Sequence, residues 1–292
     1  MVEVANPLEE WVLRSWEEDA AELPAFPTMA IRLVDAIESP DVEVATVEEI
    51  ISQDGSITAQ VIRTANSAFY GAVAEAQDLH QAIMRVGFRE TANVAMMAAS
   101  RSLYALDDRA ELECFPGLWA DIWESSLVCA YGTRLLSREL KLGDPTRAFM
   151  CGMLRDVGCL LITKLVAGGL VRGRLREKPE DDELSGLFAS LHPRLGAEYL
   201  QQNHMPEYVI EVAERHHLVD VPFAHDTIAI HLVRCADGIC DKLEVGPFCA
   251  GEVGPAALES AAALGIGDDR LEYFELQFEG IREQVGDLMA GP

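Results

Sequence analysis

The chain has 292 residues, of which 49% are hydrophobic, and its mean hydropathy is +0.08. These values are typical of a folded globular protein and exclude an intrinsically disordered one. The 23 Lys and Arg residues against 49 Asp and Glu give a net charge of −26, which repels polyphosphate backbones and disfavours nucleic acid as a partner.

The distribution of apolar residues argues against a membrane protein. No run reaches the roughly 18–20 uninterrupted apolar residues of a membrane span, and the nearest, residues 157–171, contains Lys164. The first residues lack the basic and apolar regions of a signal peptide. The seven cysteines are scattered and none lies in a CxxC motif, which predicts reduced core thiols. We therefore expect a cytoplasmic protein that does not bind membranes.

Helical spacing of apolar residues runs through almost the whole chain. No alternating run bounded by turn signals predicts a strand, so the sequence predicts an all-α fold. The chain opens with an acidic amphipathic extension, residues 1–22, which carries Trp11 and Trp16.

Breakers divide the helices that follow. A helix is predicted over residues 28–38, opened by Pro27 and ended at Pro40. Thr46 is predicted to cap the next helix, with acids in its first turn. Gly71 is predicted as the left-handed cap of a later helix.

The second half continues the helical pattern. Asp144-Pro145 predicts the start of a helix that carries residues 151–156, and residues 172–182 are predicted as a surface loop. Residues 255–290 predict one or two acidic closing helices. A local basic patch lies in the predicted loop: Arg172, Arg174, Arg176 and Lys178.

Several stretches in consistent order resemble the signatures of the bacterial HDOD domain, over about residues 20–245. The Asn-Ser-Ala-Phe-Tyr-Gly run at residues 66–71 is the most specific of them. The other matching stretches are residues 23–27, 50–54, 61–65, 81–87, 123–127, 152–158 and 214–217.

This resemblance implies a fold and a class of function. The HDOD family resembles the HD superfamily of metal-dependent phosphohydrolases, which includes the HD-GYP cyclic-dinucleotide phosphodiesterases, and it is all-helical. Its members are mostly viewed as signalling modules whose hydrolase site has decayed. The implied organisation is an extension (residues 1–22), an N-terminal helical half (23–112), an HD-like half (113–245) and closing helices (246–292).

The resemblance also assigns a site, because HD hydrolases hold one or two divalent metals with His and Asp side chains. Carried onto this chain, the site positions are Ser125, Arg155, Asp156, His192, His216, His217 and Asp237. Ser125 and Arg155 stand where the family pattern has histidines, and Cys159 stands where relatives often have lysine. No Gly-Tyr-Pro follows the double histidine.

The losses fall on one half of the implied site. The ligand set of one metal is broken at Ser125 and Arg155, because a guanidinium has no lone pair to give a metal. The other set is complete: Asp156, His192, His216 and His217. We hypothesise that Arg155, or another nearby cation, pairs with Asp156 or Asp237 and takes the place of the missing metal.

Three interpretations of the site remain open. In the first, which we favour, the residues form a metal-free polar network and no cofactor is bound. In the second, a single divalent metal (Fe, Mn, Zn or Mg) binds without chemistry. In the third, a single-metal hydrolase survives.

The function expected from these observations is a non-catalytic bacterial signalling module. Its partners would be signalling proteins or a small nucleotide ligand, and not nucleic acid or membranes. The alternative is a metal-dependent phosphohydrolase acting on a nucleotide or cyclic dinucleotide.

Overall fold

The computed structural model describes residues 6–18, 23–39, 41–67, 75–104 and 109–290. Every regular element among them is a helix, which confirms the all-α prediction. The helices are α1 (Pro7–Glu18), α2 (Thr28–Glu38), α3 (Val44–Ser52), α4 (Gly55–Ala65), α5 (Leu79–Val86), α6 (Phe88–Tyr104), α7 (Arg109–Cys114), α8 (Leu118–Leu140), α9 (Pro145–Leu154), α10 (Val157–Val171), α11 (Asp181–Gln202), α12 (Glu207–Arg215), α13 (Ile228–Lys242), α14 (Pro255–Ala263) and α15 (Asp268–Ala290). The predicted breakers Pro40 and Gly71 and the first five residues, used for the signal-peptide prediction, lie outside the described residues.

One predicted helix start is wrong. The sequence placed Thr46 at the N-cap of α3, but that helix begins at Val44, and Glu43 holds the cap position in an extended conformation. The amide of Thr46 donates to the Glu43 carbonyl at 3.0 Å, so Thr46 already lies inside the first turn. The helix begins two residues before Thr46, and the Glu43 side chain makes no capping hydrogen bond. The prediction relied on a residue type that commonly caps helices, and this helix begins without one.

The N-terminal extension is held against the second half of the chain. The Trp16 indole is buried and donates to the Glu198 carboxylate of α11 at 3.0 Å. The Trp11 ring lies over Gly169 of α10, where a Cβ atom would come within 2.3 Å of it. These contacts bury the apolar face of α1.

α8 lies at the centre of the second half, where α9, α13 and α15 pack against it. α10 is buried along nearly all of its length and packs on α11, as its continuous apolar sequence requires. The two closing helices pack on this group, α14 against α13 and α15 against α8. Among the described helices, none combines the length and the apolarity needed to cross a bilayer.

The break between α9 and α10 differs from the prediction. α9 begins at Pro145, and the Asp144 carboxylate accepts bonds from the amides of Thr146 and Arg147, as expected for a capped start. The helix ends at Leu154, however. Asp156 therefore lies in the turn between two helices, with φ −105° and ψ 21°, and not on a helix.

Candidate functional site

The structure brings all seven residues of the implied site into one cluster, which we call the polar cluster. Ser125 lies on α8, Arg155 and Asp156 at the α9–α10 break, His192 on α11, His216 and His217 at the end of α12, and Asp237 on α13. Five separate helices or helix ends therefore contribute to it.

A glycine allows this convergence. Gly158, in the first turn of α10, faces the backbone of α11 at His192. A Cβ atom at this position would stand 2.1 Å from the His192 carbonyl oxygen, far inside van der Waals contact. Only glycine lets α10 approach closely enough to bring Asp156 next to His192.

Arg155 is the centre of one half of the cluster. Its side chain is 1% exposed and makes four contacts with protein groups. Its Nε donates to Asp237 Oδ1 at 2.7 Å, and its Nη2 lies 2.8 Å from Ser125 Oγ and 3.0 Å from Asp156 Oδ2. Its Nη1 donates to the Gly152 carbonyl at 3.1 Å. The guanidinium thus contacts both carboxylates of the cluster.

The electrostatics keep Arg155 and Asp156 ionised. Burial alone would raise the pKa of Asp156, but the Arg155 guanidinium beside it holds that pKa well below its usual range. Burial would lower the pKa of Arg155, but Asp156 and Asp237 raise it well above its usual value. A buried guanidinium of this kind is stable only because its charge is compensated and its donors are used.

The other half of the cluster contains three imidazoles around Asp156. The Nε2 atoms of His192 and His216 lie 3.4 Å and 3.2 Å from Asp156 Oδ1, and 3.3 Å from each other. Potential metal-ligand atoms of Asp156, His192, His216 and His217, one from each residue, all lie within 4.8 Å of one another. We call these residues the four-ligand group.

The tautomers of two imidazoles follow from their backbone contacts. The Nδ1 atom of His192 bonds the Phe188 carbonyl, and that of His216 bonds the Val212 carbonyl at 2.9 Å. A carbonyl oxygen only accepts, so both Nδ1 atoms carry the proton. In the neutral rings, the two Nε2 lone pairs then face each other and Asp156. Only a cation, either a proton or a metal ion, makes this arrangement favourable, so the donor set fits a divalent metal.

His217 lies at the solvent side of the four-ligand group. Its ring centroid is 4.0 Å from that of His216 and 5.0 Å from that of His192. Repulsion from His216 and burial lower the pKa of His217 to about 3. Its ring is therefore neutral at physiological pH and free to give a lone pair.

The polar cluster opens into a cavity of about 200 Å³. The loop between α13 and α14 covers it, with the Phe248 ring edge-on to Phe188 at 5.7 Å between centroids. Two titratable groups of this wall were missed by the sequence reasoning, Asp241 and Cys249. Asp241 follows Asp237 by one helical turn, and this spacing could have indicated that both carboxylates face the same cavity. No local sequence pattern indicated that the loop carrying Cys249 lies against the cavity.

The pKa values of Asp241 and Cys249 are both strongly raised. Burial and the nearby Asp237 raise the pKa of Asp241 to about 7. Burial and Asp241 raise the pKa of the Cys249 thiol to about 12. Burial and Asp156 likewise raise the pKa of Cys159, which lines the same cavity. The cavity wall thus carries neutral thiols and a protonatable carboxyl.

Three further histidines and Ser126 do not belong to the polar cluster. His204 and His225 are exposed, and His231 is buried against Ser260 and the Pro222 carbonyl. The Ser126 hydroxyl donates to the Ile122 carbonyl of its own helix at 2.9 Å, as helical serines do.

Comparison with known proteins agrees with the fold. The HDOD domain model matches residues 23–219 of this chain. An uncharacterized protein of Treponema pallidum (strain Nichols) is 25% identical over 203 residues; these cover 67% of this chain and 38% of that protein, so the chain spans well under half of its length.

Three solved structures share the fold at 20% identity each. An HDOD domain protein of Geobacter sulfurreducens gives a TM-score of 0.72, covering 96% of this chain and 99% of that one. A protein of Marinobacter aquaeolei VT8, provisionally described as a signal transduction protein, gives 0.69 with 97% and 64% covered. A protein of Shewanella amazonensis SB2B, provisionally described as a phosphohydrolase, gives 0.64 with 96% and 98% covered.

At this identity the structural likeness establishes the fold alone. The family match, by contrast, spans most of the chain and includes the stretches that carry Ser125, Arg155, Asp156, His192, His216 and His217. This chain is a member of the HDOD domain family.

Proposed function

We propose that this protein is a non-catalytic signalling module in which the polar cluster stabilises the fold and no longer hydrolyses phosphate esters. Its output would be carried by protein partners or a bound small nucleotide. The single observation that supports this proposal most is the position of Arg155, whose guanidinium lies between Asp156 and Asp237.

The argument rests on what a two-metal hydrolase needs. Two metals hold an attacking hydroxide and clamp the phosphate oxygens. Arg155 supplies positive charge at the place where one ion would bind the two carboxylates, but a guanidinium holds no hydroxide and leaves no open coordination position. The Ser125 hydroxyl accepts a hydrogen bond from Arg155 Nη2 at 2.8 Å and so belongs to this ion-pair network.

The four-ligand group supports a second candidate, a single-metal phosphohydrolase. One carboxylate and three imidazoles within 4.8 Å form a donor set suited to Zn, Fe or Mn. A metal bound there would supply Lewis-acid activation of water. This chain would contribute the carboxylate Asp156 and the neutral ring of His217 at the solvent side.

The division of the chain follows from the family. We infer that residues 23–112 and 113–245 form the two halves of the HDOD domain, preceded by the extension of residues 1–22 and followed by the closing helices of residues 246–292. We also propose that the protein acts in the bacterial cytoplasm, because its seven cysteines are free thiols, as is usual in a reducing compartment.

Phosphodiesterase assays distinguish the two candidates. The 292-residue chain is incubated with cyclic dinucleotides and with bis-p-nitrophenyl phosphate, in the presence of Mn²⁺ or Fe²⁺. We expect no turnover above that of a matched Asp156→Asn variant. Turnover that is lost in Asp156→Asn but retained in the distant Asp35→Asn would overturn the signalling proposal and establish a hydrolase.

Metal titration tests the role of Arg155 separately. Because Arg155 fills one of the two metal positions, Mn²⁺ or Zn²⁺ should saturate at no more than one ion per chain. Any bound ion should be lost in His192→Ala. Two ions per chain, measured by equilibrium dialysis and elemental analysis, would contradict the replacement of a metal by Arg155.

A further inference from the structure

A second cavity lies away from the polar cluster, where α5 and α6 meet α8 and α9. Its volume is about 670 Å³, within the range of about 300–1,000 Å³ typical of small-molecule sites. Four arginines line it against two carboxylates: Arg85, Arg89, Arg134 and Arg138, with Glu90 and Asp144. We call it the arginine cleft.

The charge of this cleft is opposite to that of the molecule. The chain carries only 23 basic residues against 49 acidic ones, yet four of the basic ones converge here from three helices. Low-dielectric walls focus the field of such a group, so the cleft attracts anions although the protein as a whole repels them.

The four arginines differ in how firmly they are held. Arg134 forms an ion pair with Glu90 and lies over the Tyr131 ring at 4.9 Å, so it forms a fixed wall. Arg85 donates to the Asn66 side-chain oxygen at 2.6 Å, which sets its direction. These two contacts hold cationic groups in place before any ligand arrives.

The other two arginines are available to a ligand. Arg89 meets Asp144 only at 3.4 Å, with 47% and 39% of the two side chains exposed, and such surface pairs contribute little. Arg138 is exposed, and its side chain has no hydrogen-bond or ion-pair partner within the described ranges. Both guanidiniums can therefore turn to a ligand at small cost.

Backbone groups add to the positive field. Gly87 lines the cleft with a φ of +87° and precedes α6, a helix of 17 residues that begins at Phe88. The first amides of a helix have no partner within it and favour anions. Phe88 and Val86 line the same cleft and supply an apolar wall.

We propose that the arginine cleft binds a nucleoside polyphosphate. Arg89 and Arg138 contact its phosphates, with Arg85 and Arg134 behind them, and the base lies against Phe88 and Val86. The arginines explain the preference for phosphate, since planar guanidiniums bind its oxygens in pairs. The apolar wall and the volume explain the preference for a nucleotide over a bare anion.

The position of the cleft gives the ligand a structural effect. α5 and α6 precede the polar cluster in the chain, whereas α8 and α9 contribute Ser125 and the Arg155 turn to it. A phosphate that contacts Arg89 and Arg138 joins these two groups of helices. The inference does not depend on a metal or on the presence or absence of hydrolysis.

Isothermal titration calorimetry tests this site on the full chain in EDTA, which removes divalent metals. The probes are adenosine diphosphate, inorganic pyrophosphate and unphosphorylated adenosine. We expect adenosine diphosphate to bind more tightly than pyrophosphate, and adenosine not to bind. Raising the salt concentration should weaken the binding of both anions.

Three variants locate the binding. Arg138→Gln should lower the affinity for adenosine diphosphate about tenfold or more. The double variant Arg89→Gln/Arg138→Gln should show no heat of binding. Arg176→Gln is the matched control, because Arg176 is also exposed, lies in the loop before α11, and its replacement removes the same charge. His192→Ala, in the polar cluster, should leave the affinity unchanged.

Each other outcome overturns the inference. No heat from either anion at millimolar concentration would mean that the cleft is not a phosphate site. If Arg176→Gln lowered the affinity for adenosine diphosphate as much as Arg138→Gln does, the binding would be due to general electrostatic attraction and not to the arginine cleft. Loss of binding in His192→Ala would place the nucleotide at the polar cluster instead. Circular dichroism melting of every variant establishes that it is folded.

Discussion

Arg155 Nε lies 2.7 Å from Asp237 Oδ1, although 82 residues separate them in the chain. The same guanidinium lies 3.0 Å from Asp156 Oδ2. One buried cation therefore contacts two carboxylates, one in the α9–α10 turn and one on α13, and reduces the repulsion between them. The hypothesis made from sequence named one or the other carboxylate as the partner, and the structure pairs Arg155 with both.

Replacing Arg155 should strongly destabilise the chain. Arg155→Met leaves Asp156 and Asp237 without their cation, and breaking a buried pair in this way costs about 3–5 kcal/mol. Arg147→Met is the matched control, because Arg147 pairs with Glu38 at a site where half of its side chain is exposed, and such pairs contribute at most about 1 kcal/mol. Urea unfolding at pH 7.5 in EDTA measures both free energies.

Added metal gives the same variants a second readout. If Arg155 replaces a metal ion, Mn²⁺ should restore part of the lost stability in Arg155→Met and none in Arg147→Met, by preferential binding to the folded state. Equal costs for the two variants, or no response of Arg155→Met to Mn²⁺, would show that the guanidinium does not have this role.

Asp241 should destabilise the folded chain at neutral and alkaline pH. Burial, with Asp237 nearby, raises the pKa of Asp241 to about 7 from an ordinary value of 3.8. Between these values the folded state holds a proton that the unfolded state has lost, so the free energy of unfolding falls as the pH rises from about 4 to 7. Asp241→Asn should remove this penalty, worth about 1–2 kcal/mol after allowance for solvent screening.

Thermal melting in EDTA at a series of pH values checks this. Asp241→Asn should melt a few degrees higher than the parent at pH 8, and the difference should vanish towards pH 4. Asp35→Asn, at an exposed position of α2, should follow the parent at every pH. A constant difference between Asp241→Asn and the parent would contradict the raised pKa.

His217 should make the chain sensitive to acid. The neighbouring His216 and burial lower the pKa of His217 to about 3. The unfolded chain gains its proton near the ordinary value of 6.5, whereas the folded chain does so only near 3, so stability is lost as the pH falls through this window. His217→Asn should therefore lose less stability than the parent between pH 7 and pH 4.

The control for this prediction is another histidine of the same chain. His225 is exposed and does not belong to the four-ligand group, and His225→Asn should keep the acid sensitivity of the parent. Unfolding midpoints in urea at pH 7, 5.5 and 4, with EDTA present, give the comparison. Identical pH profiles of His217→Asn and the parent would show that His217 titrates normally.

The sequence allowed the fold class and the members of the polar cluster to be predicted because both leave local signals. Helical spacing marks the helices, and the family motifs mark residues such as Asp156 and His192 in order along the chain. The start of α3 was misplaced because Glu43 caps it without a side-chain bond. Asp156 was placed on a helix because an apolar run does not reveal a two-residue break.

The rest depends on contacts between distant parts of the chain. The sequence drew attention to Arg172, Arg174, Arg176 and Lys178 as a basic patch because they are close in sequence, yet they lie in an exposed loop. Arg89 and Arg138, 49 positions apart in the printed sequence, were not grouped at all, although they line one cleft. Only the packing of α6 against α8 and α9 brings such cations together.

The close contact of α10 with α11 gives a prediction in which one chemical change has opposite effects at two sites. Gly158→Ala places a Cβ atom 2.1 Å from the His192 carbonyl, so the helices must separate, at a cost of about 1–3 kcal/mol or more. Gly186→Ala, in α11, meets nothing within 4 Å and should stabilise by about 0.5–1 kcal/mol, because alanine restricts the unfolded chain. Urea unfolding measures both changes.

A second readout is zinc affinity, which should fall in Gly158→Ala because His192 moves away from Asp156, and should stay at the parent value in Gly186→Ala. Stabilisation by Gly158→Ala would mean that α10 does not pack on α11 through this glycine.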